Sequence, residues 1–267
     1  MNLDSNLVSV AWLNSHIDAS NLIILDATIN KVIDISSVRI PNARFFDIKQ
    51  KFSDVTAPFP STLPSTEQFQ KEARALGINS DSVVVVYDDK GIYSSARAWW
   101  LFKVFGFKNV AVLDGGLPEW QNNGFTIETY KFEDFPEGDI EAKLHSELMT
   151  NFDGVNDFSL DKNTLILDAR SEARFKCEVD EPRAGLRRGT IPNSNNLPYT
   201  VLLKGYKMKS VEELSKIFNN LVEDNIKVVF SCGSGITACI LALGSTLCNI
   251  NNLVVYDGSW TEYGTLT

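Results

Sequence analysis

The chain has 267 residues, 44% of them hydrophobic and 22% charged, with a formal net charge of −9 at pH 7. This composition is typical of a globular protein, and the length favours two domains over one. The acidic balance excludes the usual electrostatic basis for binding nucleic acid or an anionic membrane surface, so we predict neither partner. No apolar run is long enough to span a bilayer, and no basic stretch precedes an apolar one at the start of the chain, so we expect a cytoplasmic protein.

Short β-branched runs alternate with helical patterns along the chain. In chain order, strands are predicted at Val83–Tyr87, Val110–Leu113, 228–230 and Leu253–Tyr256, and helices at 94–105 and 211–222. Continuously apolar strands suit a parallel sheet that helices cover on both faces. This alternation predicts α/β domains whose sites lie at the carboxyl ends of the strands.

An internal duplication organises these elements. Residues 22–27 (LIILDA), 65–68 (STEQ), 84–88 (VVVYD) and 114–120 (DGGLPEW) recur, in order, as 164–169 (TLILDA), 210–213 (SVEE), 228–232 (VVFSC) and 257–263 (DGSWTEY). The offset stays at about 143 residues throughout, which indicates duplication of a whole domain. We therefore predict a first domain at 1–132, a linker at 133–154 and a second domain at 155–267. The linker segment is polar and weakly periodic, and a short helix within it is the alternative.

The loop after the strand at 228–230 is the most informative segment. Cys232 ends the strand, and a helix is predicted to begin near Thr237. Gly233 and Gly235 leave backbone N–H groups accessible, and the helix N-terminus adds positive potential, so the loop favours a thiolate. A buried structural cysteine in a tight turn is the alternative.

Other kinds of site find little support in the sequence. The cysteines are not spaced as C-x-x-C, and the histidines, His16 and His145, lie far from them, so we predict no metal site and no cofactor. Scarce histidine also disfavours a mechanism that needs an imidazole base. A phosphatase loop would need arginine six residues after the cysteine, where this chain has Ala238.

The loop at 232–237 (CGSGIT) resembles the active-site loop of tandem rhodanese-domain sulfurtransferases of the 3-mercaptopyruvate type. The resemblance extends over nearly the whole chain, through residues 114–120, 168–170, 181–183, 189–192 and 256–260. It implies two rhodanese-like domains, each a mainly parallel sheet flanked by helices. In this family the first domain is inactive, with Asp where the second has its cysteine, and Asp88 fits that pattern.

The resemblance also implies a reaction. Cys232 would take sulfur from 3-mercaptopyruvate as a persulfide and pass it to cyanide or to a thiol acceptor, such as thioredoxin or a low-molecular-weight thiol, without a cofactor. Arg174 and Arg183 match the family positions that grip the carboxylate and keto oxygens of the donor. The loop residues implied to bind substrate are Gly233, Ser234, Gly235, Ile236 and Thr237.

Several alternatives stay open. From the residues alone, the basic island at 170–188 equally fits surface ion pairs with its acidic neighbours. In thiosulfate-preferring relatives basic residues follow the cysteine, where this chain has Gly233 and Ser234, but thiosulfate stays an alternative donor. A non-enzymatic sulfur-relay or binding module is the other alternative. Some family members are proposed to use an acid and a histidine from the first domain, where this sequence has Lys49 and Ser61.

Overall fold

The computed structural model describes residues 1–34, 36–131, 133–222, 226–251 and 253–267. Within these ranges the chain forms two compact units. Unit 1 comprises Met1–Val55, Leu63–His145 and Gly205–Met208, and unit 2 comprises Thr56–Thr62, Ser146–Lys204 and Lys209–Thr267. Residue 132, the predicted end of the first domain, lies outside the described residues, and the domain boundaries given above stay predictions.

The first half of the chain builds one parallel sheet. Its elements are β1 Leu7–Val8, α1 Val10–Ser15, β2 Leu22–Asp26, β3 Val38–Arg39, β4 Arg44–Phe45, α2 Thr66–Ala75, β5 Val83–Tyr87, α3 Ser95–Val104, β6 Val110–Leu113, α4 Gly116–Asn122 and β7 Glu128–Thr129. The strand order is β1-β6-β5-β2-β4, with parallel pairing throughout, and β3 pairs with β7 in a small antiparallel ladder. All five residues of β5 are buried, as a strand covered on both faces requires.

The second half repeats this plan. Its elements are β8 Met149–Thr150, α5 Phe152–Leu160, β9 Thr164–Asp168, α6 Glu172–Phe175, β10 Ser194–Asn196, β11 Leu203–Lys204, β12 Lys207–Met208, α7 Val211–Asn219, β13 Lys227–Ser231, α8 Ala238–Leu247, β14 Leu253–Tyr256 and α9 Ser259–Leu266, with 3₁₀ turns at Ser146–Leu148 and Tyr199–Leu202. The sheet order β8-β14-β13-β9-β10 reproduces that of the first sheet strand for strand, and these pairs are also parallel. The predicted α/β architecture of two parallel sheets flanked by helices is confirmed.

Differences from the predicted elements lie at their ends. The helix predicted at 211–222 ends at Asn219, and the strand predicted at 228–230 extends over Lys227–Ser231. The repeated segments at 65–68 and 210–213 cap helices: Ser65 accepts from the Gln68 N–H, and Ser210 forms a reciprocal capping box with Glu213. Within the predicted linker, the structure places β8 and the first residues of α5.

Candidate active site

Cys232 lies directly after β13, at the carboxyl end of the central strand of the second sheet, and is 1% exposed. Its backbone N–H donates to Ser259 Oγ at 3.1 Å. The Ser259 hydroxyl itself lies 2.9 Å from the Tyr256 carbonyl oxygen and 3.8 Å from Cys232 Sγ. Because a hydroxyl has one proton, Ser259 can donate to either acceptor, so a charged sulfur has a donor beside it.

The first turn of α9 orients the peptide groups of the loop. The N–H of Trp260 donates to the Cys232 carbonyl at 3.0 Å, and Thr261 donates to the Gly233 carbonyl from its N–H at 2.9 Å and its Oγ1 at 2.5 Å. In a trans peptide the N–H points opposite to the carbonyl, so the N–H groups of Gly233 and Ser234 point away from α9. With the αL turn at Gly235, whose φ is 74°, the loop can present several donors to one anion.

Arg174 extends from α6 to the same loop. A Cβ built on Gly233 would lie 2.9 Å from Arg174 Nη2. The side chain is 24% exposed, so the guanidinium is open to a ligand. Its other contact is with Glu181, whose Oε2 accepts from Nη2 at 2.5 Å and whose Oε1 accepts from Nε at 3.3 Å. The Nε–Nη2 edge of the guanidinium is therefore held by a carboxylate, while its Nη1–Nη2 end lies beside Gly233.

A buried chain of charges supports Arg174. Glu181 also accepts from Arg170 Nη1 at 2.8 Å, and Arg170 binds Asp168 through Nε and Nη2 at 2.6–3.1 Å. Burial disfavours the charged guanidinium, but the hydrogen bonds and charges of Asp168 and Glu181 outweigh it, so the pKa of Arg170 lies above its ordinary value. Asp168, Arg170, Glu181 and Arg174 thus alternate in sign, and we call them the charge chain.

Arg183 joins the loop indirectly. Its Nη1 donates to Thr261 Oγ1 at 3.1 Å, and that same hydroxyl donates to the Gly233 carbonyl. The contact places Arg183 at the first turn of α9, next to the loop that follows Cys232. The residues expected to bind substrate at 233–237 form this loop, with Ile236 buried and Ser234 half-buried.

The first repeat shows what such a loop binds. Asp88, which aligns with Cys232, is fully buried after β5. Its carboxylate accepts from the N–H groups of Lys90 and Tyr93, both at 2.8 Å, and from the Ser95 N–H at 2.9 Å and Oγ at 2.6 Å. The loop therefore wraps an anion with its own amides, which is the environment predicted for a thiolate in the second repeat.

Sequence reasoning missed several residues of this arrangement. One alternative left open there pairs the basic island with its acidic neighbours at the surface, whereas the side chain of one such neighbour, Glu181, is 1% exposed and lies between two arginines. The surface interpretation holds for Arg188, whose partner Asp180 is 87% exposed. Ser259 and Thr261 were also missed as contacts of the loop, although their place in the repeated motif at 257–263 was a usable signal.

The described residues offer neither a metal site nor a membrane-spanning helix. Among the described residues, no three His, Cys, Asp or Glu side chains cluster closely enough to hold a metal ion. Across the same ranges, no helix combines the length and apolar character that crossing a bilayer requires. No disulfide joins the four cysteines, all of which lie within the described ranges.

Both halves of the chain are similar in sequence and fold to known proteins. Residues 9–123 and 154–265 each match the Rhodanese-like domain family. The chain is 38% identical to 3-mercaptopyruvate sulfurtransferase of Escherichia coli (strain K12) over 96% of this chain and 94% of that protein. It is 36% identical to Thiosulfate/3-mercaptopyruvate sulfurtransferase 1, mitochondrial, of Arabidopsis thaliana, over 97% and 76% respectively. The crystal structure of SseA from Escherichia coli, described as a 3-mercaptopyruvate sulfotransferase, superposes with a TM-score of 0.85 at 36% identity, covering 96% of this chain and 99% of that one.

Proposed function

The chain belongs to the family of proteins with Rhodanese-like domains and is a sulfurtransferase, and on that premise we propose that Cys232 carries sulfur from 3-mercaptopyruvate to an acceptor. The observation that supports this most is the position of Cys232, buried at the head of an amide-lined loop with Arg174 beside it. Its equivalent in the first repeat, Asp88, carries a carboxylate that the amides of the same kind of loop surround.

In the first half-reaction the Cys232 thiolate attacks the sulfur of 3-mercaptopyruvate. A sulfur–sulfur bond forms, the carbon–sulfur bond of the donor breaks, and its electron pair goes to carbon as the enolate of pyruvate. Protonation of that enolate releases pyruvate and leaves a persulfide on Cys232. Loop amides and the Ser259 hydroxyl stabilise negative charge on the sulfur before and after the transfer.

The donor is held by its carboxylate and keto oxygens. The end of the Arg174 guanidinium lies beside Gly233. Arg183 donates to the Thr261 hydroxyl, which places it at the first turn of α9. Planar guanidinium groups bind a carboxylate with two parallel hydrogen bonds, which fixes the donor sulfur near Cys232.

The proton for the enolate comes from water in this proposal. Lys49 and Ser61 stand where an acid and a histidine are proposed for some relatives, so an imidazole relay at those positions is unsupported. Ser234 lies in the loop as a half-buried hydroxyl, and we assign it the hydrogen bond that the leaving enolate accepts.

In the second half-reaction the acceptor attacks the outer sulfur and Cys232 leaves as a thiolate. Cyanide, a low-molecular-weight thiol or thioredoxin would serve as acceptor, in the cytoplasm. Thiosulfate is the second candidate donor, since one relative at 36% identity carries both donors in its name. The absence of basic side chains at Gly233 and Ser234 favours the monoanionic keto acid over this dianion.

The test compares the two donors in one assay. Purified protein is given 3-mercaptopyruvate or thiosulfate with cyanide as acceptor, and kcat/KM is measured for each. We expect the higher kcat/KM with 3-mercaptopyruvate, and one added sulfur on the Cys232 peptide by mass spectrometry after donor alone. A higher value with thiosulfate would overturn the donor assignment, and label on another residue would overturn the mechanism.

A further inference from the structure

The charge chain ends on Arg174, the one member that is open to a ligand. Asp168, Arg170 and Glu181 have side chains no more than 1% exposed, whereas Arg174 is 24% exposed. A long, partly exposed arginine side chain gains a fixed orientation only from a partner that is itself fixed. Glu181 is such a partner, because Arg170 holds its Oε1 at 2.8 Å and is in turn anchored by Asp168 and by the Gly189 carbonyl.

The geometry of this contact determines which donors of Arg174 remain for a ligand. Glu181 takes the side edge of the guanidinium, Nε and Nη2. The end edge, Nη1 and the second hydrogen of Nη2, lies toward Gly233. That edge carries two parallel N–H bonds at carboxylate spacing, so it suits an α-keto carboxylate bound end-on.

The charge of Glu181 matters as well as its position. Two carboxylates and two guanidinium groups make the charge chain neutral as a whole. Beside the loop, Arg174 is therefore a directed hydrogen-bond donor more than a source of long-range positive potential. A dianion gains more from net positive potential than a monoanion does, because the Coulomb energy scales with the charge.

Resting on the proposed function, we propose that Glu181 is a positioning residue that sets donor specificity: it fixes Arg174 end-on to the loop and cancels excess positive charge, which favours a monoanionic α-keto carboxylate over a dianionic sulfur oxyanion. Glu181 acts through Arg174 and touches no reacting atom.

Replacing Glu181 with glutamine separates the two donors. The amide puts an N–H₂ group where one arginine now donates, so one contact is lost. Arg170 keeps Asp168 and stays compensated in its buried position, whereas Arg174 is free to turn toward water. The site then has one more positive charge and a less ordered fork.

The decisive measurement is the ratio of kcat/KM for 3-mercaptopyruvate to that for thiosulfate, with cyanide as acceptor. We expect Glu181→Gln to lower this ratio roughly tenfold, mainly through a higher KM for 3-mercaptopyruvate, which is the scale of one charge-assisted contact. Asp180→Asn is the matched control, since it removes the same charge from the same loop without contacting Arg174, and its ratio should stay at the wild-type value. An equal loss with both donors in Glu181→Gln would mean a structural role only and would overturn the proposal.

Two further variants distinguish the proposed positioning role from a folding defect. Glu181→Asp keeps the charge but shortens the reach by one methylene, so it should raise the KM for 3-mercaptopyruvate without improving turnover of thiosulfate. In an Arg174→Leu background, Glu181→Gln should leave the KM for 3-mercaptopyruvate where Arg174→Leu alone puts it, because the positioned group is gone. Additive losses in the double variant would contradict action through Arg174.

Binding of pyruvate, a non-reacting α-keto carboxylate, distinguishes failure of this inference from failure of the proposed function. Calorimetry should give weaker pyruvate binding to Glu181→Gln than to wild type and Asp180→Asn. Equal binding to all three overturns the inference even where the wild type transfers sulfur. Absence of transfer from either donor by the wild type, with pyruvate binding still dependent on Glu181, overturns the proposed function alone.

Discussion

Arg174 covers Gly233 so closely that a side chain at 233 and the present position of Arg174 exclude each other. A Cβ on Gly233 would lie 2.9 Å from Arg174 Nη2, shorter than the contacts that Cβ atoms make in proteins. The φ of Gly233 is not in the left-handed region, so the requirement for glycine here is steric and comes from Arg174. The glycine at 233 and the present position of Arg174 therefore depend on each other.

Gly233→Ala should therefore act on donor binding. The new methyl group displaces the guanidinium of Arg174, which is the end of a long side chain, while the backbone conformation is one that alanine adopts. We expect the KM for 3-mercaptopyruvate to rise about fivefold, on the scale of a weakened charged hydrogen bond, with a smaller change in kcat. Steady-state kinetics measures this, with Arg174→Leu as the background in which the added methyl should have no further effect. An unchanged KM would show that Arg174 does not contact the donor.

Cys232→Ser should abolish sulfur transfer, because a serine hydroxyl stays protonated where a thiol ionises and is then a poor nucleophile toward sulfur, and because an alkoxide is a poor leaving group. Cys239→Ser is the matched control: its thiol donates to the Gly235 carbonyl at 3.3 Å, a contact that a hydroxyl retains. Turnover with cyanide and the mass of the donor-treated protein measure both. Retained turnover in Cys232→Ser, or loss of the added sulfur in Cys239→Ser alone, would assign the nucleophile elsewhere.

Asp88→Ala should reduce stability more than chemistry. The carboxylate accepts four hydrogen bonds within a buried loop. Its removal leaves the amides of Lys90 and Tyr93 without that acceptor. We expect the free energy of unfolding to fall by roughly 2–4 kcal/mol, with turnover changed less than about tenfold. Urea unfolding and steady-state kinetics give the two numbers. Asp89→Asn, at the exposed neighbouring position, controls for loss of charge, and a large loss of turnover in Asp88→Ala would reveal a catalytic contribution of the first repeat.

The fold could be predicted from sequence because its determinants are local and repeated. Apolar strands such as Val83–Tyr87 and serine caps such as Ser65 and Ser210 depend on neighbours within a few residues. Because of the duplication, the pattern of each such element also occurs twice in the sequence. Cys232 could be singled out for the same reason, since strand, glycine loop and helix are consecutive.

The charge chain could not be predicted in the same way. Glu181 has acidic neighbours, and nothing in its local pattern separates a carboxylate held between two arginines from one exposed to water. Its burial depends on Arg170, which lies before α6, on Arg174, which lies on α6, and on the packing of the loop that follows. The same holds for Ser259, whose contact with Cys232 joins residues 27 positions apart.

Lys103, which lies outside the proposed site, tests how much stability is lost when a charged side chain is buried. It lies in the last turn of α3, where its Nζ donates to the Lys108 carbonyl at 2.8 Å. Burial, and secondarily the charge of Lys108, lower the pKa of Lys103 from 10.5 to about 8. Below pH 8 the folded and unfolded states both carry the proton, so the folded state bears the full cost of a buried charge. Between pH 8 and 10.5 the unfolded state binds more protons, so stability rises with pH.

Lys103→Met should remove that cost. At pH 7 we expect the free energy of unfolding to rise by about 1–3 kcal/mol, a range below the full linkage energy because the side chain is partly solvated. The advantage over wild type should shrink as the pH rises from 8 and be lost above 10.5, where the wild-type lysine, already neutral in the folded state, loses its proton in the unfolded state as well. Urea unfolding at a series of pH values measures this difference, and Lys71→Met, at an exposed position on α2, should show no such trend. A gain that is independent of pH would mean that methionine stabilises by packing alone and that Lys103 does not carry a buried charge.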